Sequence, residues 1–101
     1  MNATEAGQIA FDFLMTDLEI PEDEKEWFEI LESHFSPQGW YTVKIGLEGL
    51  PDRWILQVFD TGVCDPCYTF NSPIKAADGS ADLDCLPESI ATTLMRERNA
   101  S

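Results

Sequence analysis

Apolar positions change their period several times along this chain, and each change predicts an element. Over residues 4–18, Ala6, Ile9, Ala10, Phe11, Phe13, Leu14 and Leu18 occupy well over half of a helical circumference. Glu5, Gln8, Asp12 and Thr16 form a narrow polar stripe. Asn2 or Thr4 can cap this helix, with Glu5 three residues after Asn2 as in a capping box. A helix so widely apolar packs on two sides of its own core or against another chain. A homodimer through that face is the expected form of self-association.

Residues 21–35 predict a second helix. Pro21 suits its first turn, and Glu22, Asp23 and Glu24 complement the positive dipole end. Trp27, Phe28, Ile30, Leu31 and Phe35 form its apolar face, with Glu22, Glu26, Glu29 and Glu32 opposite. Ser36-Pro37-Gln38-Gly39 stops it. Period two follows, with Tyr41, Val43, Ile45 and Leu47 on one parity, then Trp54, Leu56 and Val58 beyond Gly49-Leu50-Pro51-Asp52. An antiparallel register of Leu47 with Trp54, Ile45 with Leu56 and Val43 with Val58 keeps these apolar sets together. Trp40, Ile55 and Phe59 then share the other face with Lys44 and Gln57, a face apolar enough to want partial cover. Tyr68–Ser72 predicts a third strand ended by Pro73, Asp78-Gly79-Ser80 a turn, and residues 87–98 a last helix burying Ile90, Ala91, Leu94 and Met95. Arg96 and Arg98 suit its negative end. The predicted class is α+β: two N-terminal helices, a three-stranded antiparallel β-meander and a C-terminal helix, in a single small domain over residues 1–101.

Charge narrows the partners. The formal net charge is −13, and residues 1–36 hold Glu5, Asp12, Asp17, Glu19, Glu22, Asp23, Glu24, Glu26, Glu29 and Glu32 against the single base Lys25. Such a field repels nucleic-acid backbones and anionic lipid and attracts basic protein surfaces. With hydrophobic residues at 44% and aromatics at 11%, the chain can still build a core, unlike a disordered acidic tail. There is no apolar run long enough to span a membrane and no basic-then-apolar opening of a secretory signal. An odd set of three cysteines suits reduced thiols, so the expected location is cytoplasmic.

Candidate chemistry is sparse. Cys64-Asp65-Pro66-Cys67 reads first as an Asp-Pro turn flanked by two small apolar residues. The alternative is a zinc-stabilised module using Cys64, Cys67 and Cys85, with His34 as fourth ligand, although a second closely spaced ligand pair is missing. A redox role would want the first cysteine at a helix N-terminus rather than among acids. His34 has no specified nucleophile or orienting carboxylate and reads as a helix-end histidine. Phosphate loops, nucleophile elbows and zinc-protease motifs are absent. The expectation is a protein that is not an enzyme and needs no cofactor. A minor alternative is imitation of DNA by the four glutamates of the second helix, spread over roughly 15 Å at ~1.5 Å per residue, against about one charge per 1.7 Å in a duplex.

From Trp27 to Pro87 the order of features resembles a family of small bacterial proteins, the sensory transduction regulators, whose fold is like that of type III secretion chaperones. The residues that carry the resemblance are a helix ending Phe28-Glu29-Ile30-Leu31, Gly39-Trp40 entering one strand, Arg53-Trp54 opening the next, Tyr68–Pro73, and a helix starting Leu86-Pro87-Glu88 and reaching Asn99. The match covers about 60% of the chain by pattern of elements alone. This chain adds a full helix before it, carries the Cys64/Cys67 turn, and reaches Ser101 where the family continues with further strands. The resemblance implies a helix–β-meander–helix arrangement and a chaperone-like, non-catalytic task. Together with the charge it predicts a small acidic regulator that binds a basic protein surface. Glu22, Glu26, Glu29 and Glu32 would steer the partner, and Trp40 and Phe59 would supply contact area.

Overall fold

The computed structural model describes residues 2–47, 49–65, 68–72 and 86–100. Helix α1 (Ala3–Asp17) begins where the Asn2 side chain accepts a hydrogen bond from the Glu5 amide at 2.9 Å. It ends in a Schellman turn, the Glu19 amide donating to Thr16 O at 3.2 Å and the Ile20 amide to Met15 O at 3.0 Å. Glu19 takes the left-handed conformation that this turn requires, at φ 56°, and Pro21 prevents any continuation. Ala6, Ala10 and Leu14, spaced four apart, are fully buried, and Ile9, Phe11 and Phe13 pack half-buried on the same core. The helix's broad apolar surface is thus largely absorbed within its own chain.

The predicted second helix is not formed. Glu22–Trp27 make a 3-10 turn, and β1 (Phe28–Phe35) follows as an eight-residue strand. Its antiparallel pairing with β2 (Trp40–Leu47) is interrupted between Ile30 and Glu32 by a β-bulge at Leu31. The bulge explains the misreading. Phe28, Ile30, Ser33 and Phe35 face inward, but one inserted residue shifts the phase, so the apolar positions imitate a helical repeat. The stretch Phe28–Leu31, a helix end in the family resemblance, is therefore strand. Ser36-Pro37-Gln38-Gly39 is a hairpin turn, with Gly39 at φ 105°, a value that disfavours a side chain.

β3 (Arg53–Phe59) and β4 (Thr69–Asn71) complete a four-stranded antiparallel sheet of order β1-β2-β3-β4, one strand more than expected. The β2–β3 register pairs Ile45 with Trp54, Val43 with Leu56 and Tyr41 with Val58. This lies two residues from the expected register and so preserves both faces. Parity follows from burial, whereas the loop decides the offset: the Leu50 amide donates to Leu47 O at 3.1 Å, and Arg53 Nη1 to Leu50 O at 2.6 Å. Leu47 pairs instead with Phe28. The last helix, α2 (Glu88–Ala100), forms as expected, with Ile90 and Leu94 fully buried and Ala91 and Met95 half-buried. The buried apolar residues of β2 and β3 share one parity and form one core with residues of α1 and α2, so both helices pack on that inner face in two layers. Pro73 and the Asp78-Gly79-Ser80 turn lie outside the described residues. No helix among the described residues is long and apolar enough to cross a membrane.

Candidate functional site

The outer face of the sheet is left uncovered by either helix. Parity places Glu29, Glu32 and His34 of β1 there, with Trp40, Thr42 and Lys44 of β2 and Ile55, Gln57 and Phe59 of β3. All of these are half-buried or exposed. Trp40 and Phe59 are direct cross-strand partners, packed edge to face with ring centroids 6.4 Å apart at 82°. Glu32 lies between two side chains of the outer face, 3.1 Å from His34 Nδ1 and 3.2 Å from Lys44 Nζ. His34 is thus a strand residue facing a carboxylate and not the end of a helix. Leu31, displaced by the bulge, shares with the Arg53 guanidinium the space over Gly46: a Cβ built there would lie 2.9 Å from each and 3.0 Å from Asp52 O. Glycine at 46 lets the bulged strand fold over its neighbour.

The sheet thereby gathers four of the residues singled out from sequence, Glu29, Glu32, Trp40 and Phe59, by a route other than the one expected. They do not form a single cluster. Glu29 stands opposite Gly46, six residues along β2 from Trp40, which is about 20 Å at ~3.3 Å per residue. Glu22 and Glu26 sit on the 3-10 turn that leads into β1, with Glu22 held by Lys25 at 2.8 Å. No face of four aligned helical glutamates exists, and the DNA-like spacing drawn from it goes with it.

Pro66 and Cys67 of the expected Asp-Pro turn lie outside the described residues. The chain reverses at residues 59–62, where the Gly62 amide donates to Phe59 O at 2.9 Å and Gly62 adopts φ 91°. Cys64 is on the returning segment, bridged to Val58, and the Asp65 amide donates to Gln57 O at 2.8 Å. Burial, and then the Asp65 carboxylate, push the Cys64 thiol up to about 11. A thiol so placed is a weak nucleophile at neutral pH. His34 and Cys64 are three strand spacings apart, on the order of 14 Å, and on opposite faces, so they do not share a ligand sphere. Cys67 and Cys85 lie outside the described residues. No group of three or more His, Cys, Asp or Glu among the described residues could hold a metal ion.

Sequence reasoning missed the most buried polar pair. Arg98, expected only to suit the negative end of the helix, is buried in a two-pronged ion pair with Asp52, Nη2 to Oδ2 at 2.6 Å and Nε to Oδ1 at 3.0 Å. Both side chains are fully excluded from solvent. The pair ties the end of α2 to the loop between β2 and β3. The Tyr68 hydroxyl donates to Glu97 at 2.9 Å, joining α2 also to the chain entering β4. Burial, the bond to Glu97 and the nearby Asp17 hold that hydroxyl well above the usual tyrosine range. Nothing at 46 residues' separation announced Asp52 and Arg98 as partners.

These bonds join α2 to the β2–β3 loop and to the segment entering β4. Comparison with family models, with curated proteins and with solved structures finds no match for this chain.

Proposed function

We propose that this protein is a non-catalytic, acidic binding module that recognises a basic surface of another protein through the outer face of its sheet. One observation carries the reading. Opposite both helices, the half-exposed side chains of Trp40, Ile55 and Phe59 share a face with the exposed carboxylates of Glu29 and Glu32. Aromatic side chains supply contact area at low entropic cost, while fixed carboxylates raise the encounter rate with a cation-rich partner. The net charge of −13 extends that steering beyond the contact itself.

The test is kinetic. Tagged protein is used to capture a partner at low salt, and association and dissociation are then measured with that purified partner. Changing Glu22, Glu26, Glu29 and Glu32 together to glutamine should slow association by roughly tenfold or more at low salt and little at high salt, since screening acts over ~8 Å at physiological ionic strength. Trp40→Ala should mainly quicken dissociation. A partner whose association rate ignores both the four substitutions and the salt would overturn the reading.

A further inference from the structure

Among the described residues strand β1 is an edge strand, eight residues long, and the exposed apolar residues collect on it. Among the described residues the exposed large hydrophobics are Trp27, Ile30, Leu31, Phe35 and Val63, and all but Val63 belong to β1 or directly precede it. An uncovered edge with apolar side chains is a template for strand pairing.

The backbone is available as well. The Ser36 amide donates to Trp40 O at 2.7 Å, which sets the alternation of the β1–β2 ladder. By that alternation Ile30, Ser33 and Phe35 turn their amide and carbonyl groups away from β2. None of them makes a backbone hydrogen bond outside the ladder with the described residues. Alongside lies a groove of about 280 Å³ between this edge and the start of α1, lined by Ala3, Thr4, Gly7, Gln8, Ile30 and Ser33. Small helix residues keep it open: a Cβ at Gly7 would already touch Ile30 at 3.4 Å.

We propose that β1 receives an extended, lysine- or arginine-bearing segment of a partner protein as an added strand. Its backbone pairs with Ile30, Ser33 and Phe35, its inward side chains rest on the groove, and its cations face Glu29 and Glu32. Charge selects this occupant over a second copy of the chain. Antiparallel self-pairing would bring Glu26, Glu29 and Glu32 of two molecules to one seam, each molecule carrying −13. The bulge at Leu31 twists the edge and limits the added strand to a short stretch, which also guards against open-ended stacking. This proposal rests on the reading of the protein as an acidic binding module and names the form of its partner.

The probe is a ten-residue peptide alternating valine with lysine, titrated at low and physiological salt. Two further versions carry N-methyl groups on the valine amides or on the lysine amides. We expect binding that weakens at least tenfold with salt, with one methylated version at least tenfold weaker and the other unchanged, because only one parity of amides faces β1. Amide hydrogen exchange at Ile30, Ser33 and Phe35 should slow on binding. Equal binding by both methylated peptides would overturn strand addition and leave acidic recognition standing. So would failure of every peptide while the captured folded partner still binds in a charge-dependent way. Failure of the peptides together with a charge-indifferent partner would overturn both. A peptide-free dimer already protected at these amides would assign the edge to a second copy instead.

Discussion

At the scale of single residues, the Asp52–Arg98 pair concentrates the largest electrostatic risk in the molecule. Two charges without solvent access are tolerated because the guanidinium and carboxylate satisfy each other through two bonds. Removing either partner strands the other, so Arg98→Met or Asp52→Leu should each cost about 3–5 kcal/mol, whereas the double substitution should cost far less than their sum. Urea unfolding of the four proteins in a double-mutant cycle measures this directly, and additive losses would show that the pair is not coupled. Cys64 offers a check of another kind. Its thiol pKa is raised from 9.0 to about 11, so its proton is held more tightly in the folded than in the unfolded chain. The associated stability is present below pH 9 and is lost as pH rises through the interval to about 11. In alkylation followed by tandem mass spectrometry, Cys64 in the native protein should react at pH 8 at least tenfold more slowly than in urea. Equal rates would mean that the thiol is neither buried nor opposed by Asp65.

Among elements, β2 and β3 carry different loads on their two faces. Trp54 is fully buried between Phe28 and Phe70, with ring centroids at 5.7 and 5.1 Å, and its indole nitrogen has no hydrogen-bond partner among the described residues. Trp54→Ala should therefore cost about 3–5 kcal/mol. Trp54→Phe should cost much less, since it also removes an unsatisfied donor whose burial is worth about 1–3 kcal/mol. Trp40, on the uncovered face, should cost clearly less than Trp54 when changed to alanine. Equal losses for Trp40→Ala and Trp54→Ala in chemical denaturation would mean that the outer face is covered in solution. That result would also count against its use as a binding surface.

For the molecule as a whole, charge is the main influence beyond the core. Residues 1–36, which carry ten of the nineteen acids, fold into α1, the 3-10 turn and the edge strand β1, so the negative field is borne by the α1–β1 side. Such a chain repels itself. Added salt should raise its melting temperature through the range where the Debye length falls from about 30 Å at 0.01 M to about 8 Å at 0.15 M. The four-glutamine variant should melt at or above the wild type at low salt, and the difference should shrink as salt is added. A variant that melts lower, with a salt response unchanged from wild type, would show that these glutamates act through local bonds such as Glu32 with Lys44 rather than through net repulsion.

Much of the frame is legible in local pattern. α1 and α2 declare themselves through apolar spacing and caps, and the faces of β2 and β3 through strict alternation, because these signals depend only on a residue's near neighbours. Strict alternation likewise set Trp40 and Phe59 on one sheet face, whereas Glu29 and Glu32 were drawn from a helical face that does not form. Three things needed the tertiary structure. Residues 28–35 are strand because seven residues paired at long range with β2 outweigh a locally helical pattern, and the Leu31 bulge hides their alternation. The β2–β3 offset was decided by the loop at residues 49–52, since a two-residue shift leaves every side chain on its original face. Arg98 found Asp52 only through packing, because a bond between residues 46 positions apart leaves no periodic trace in either segment.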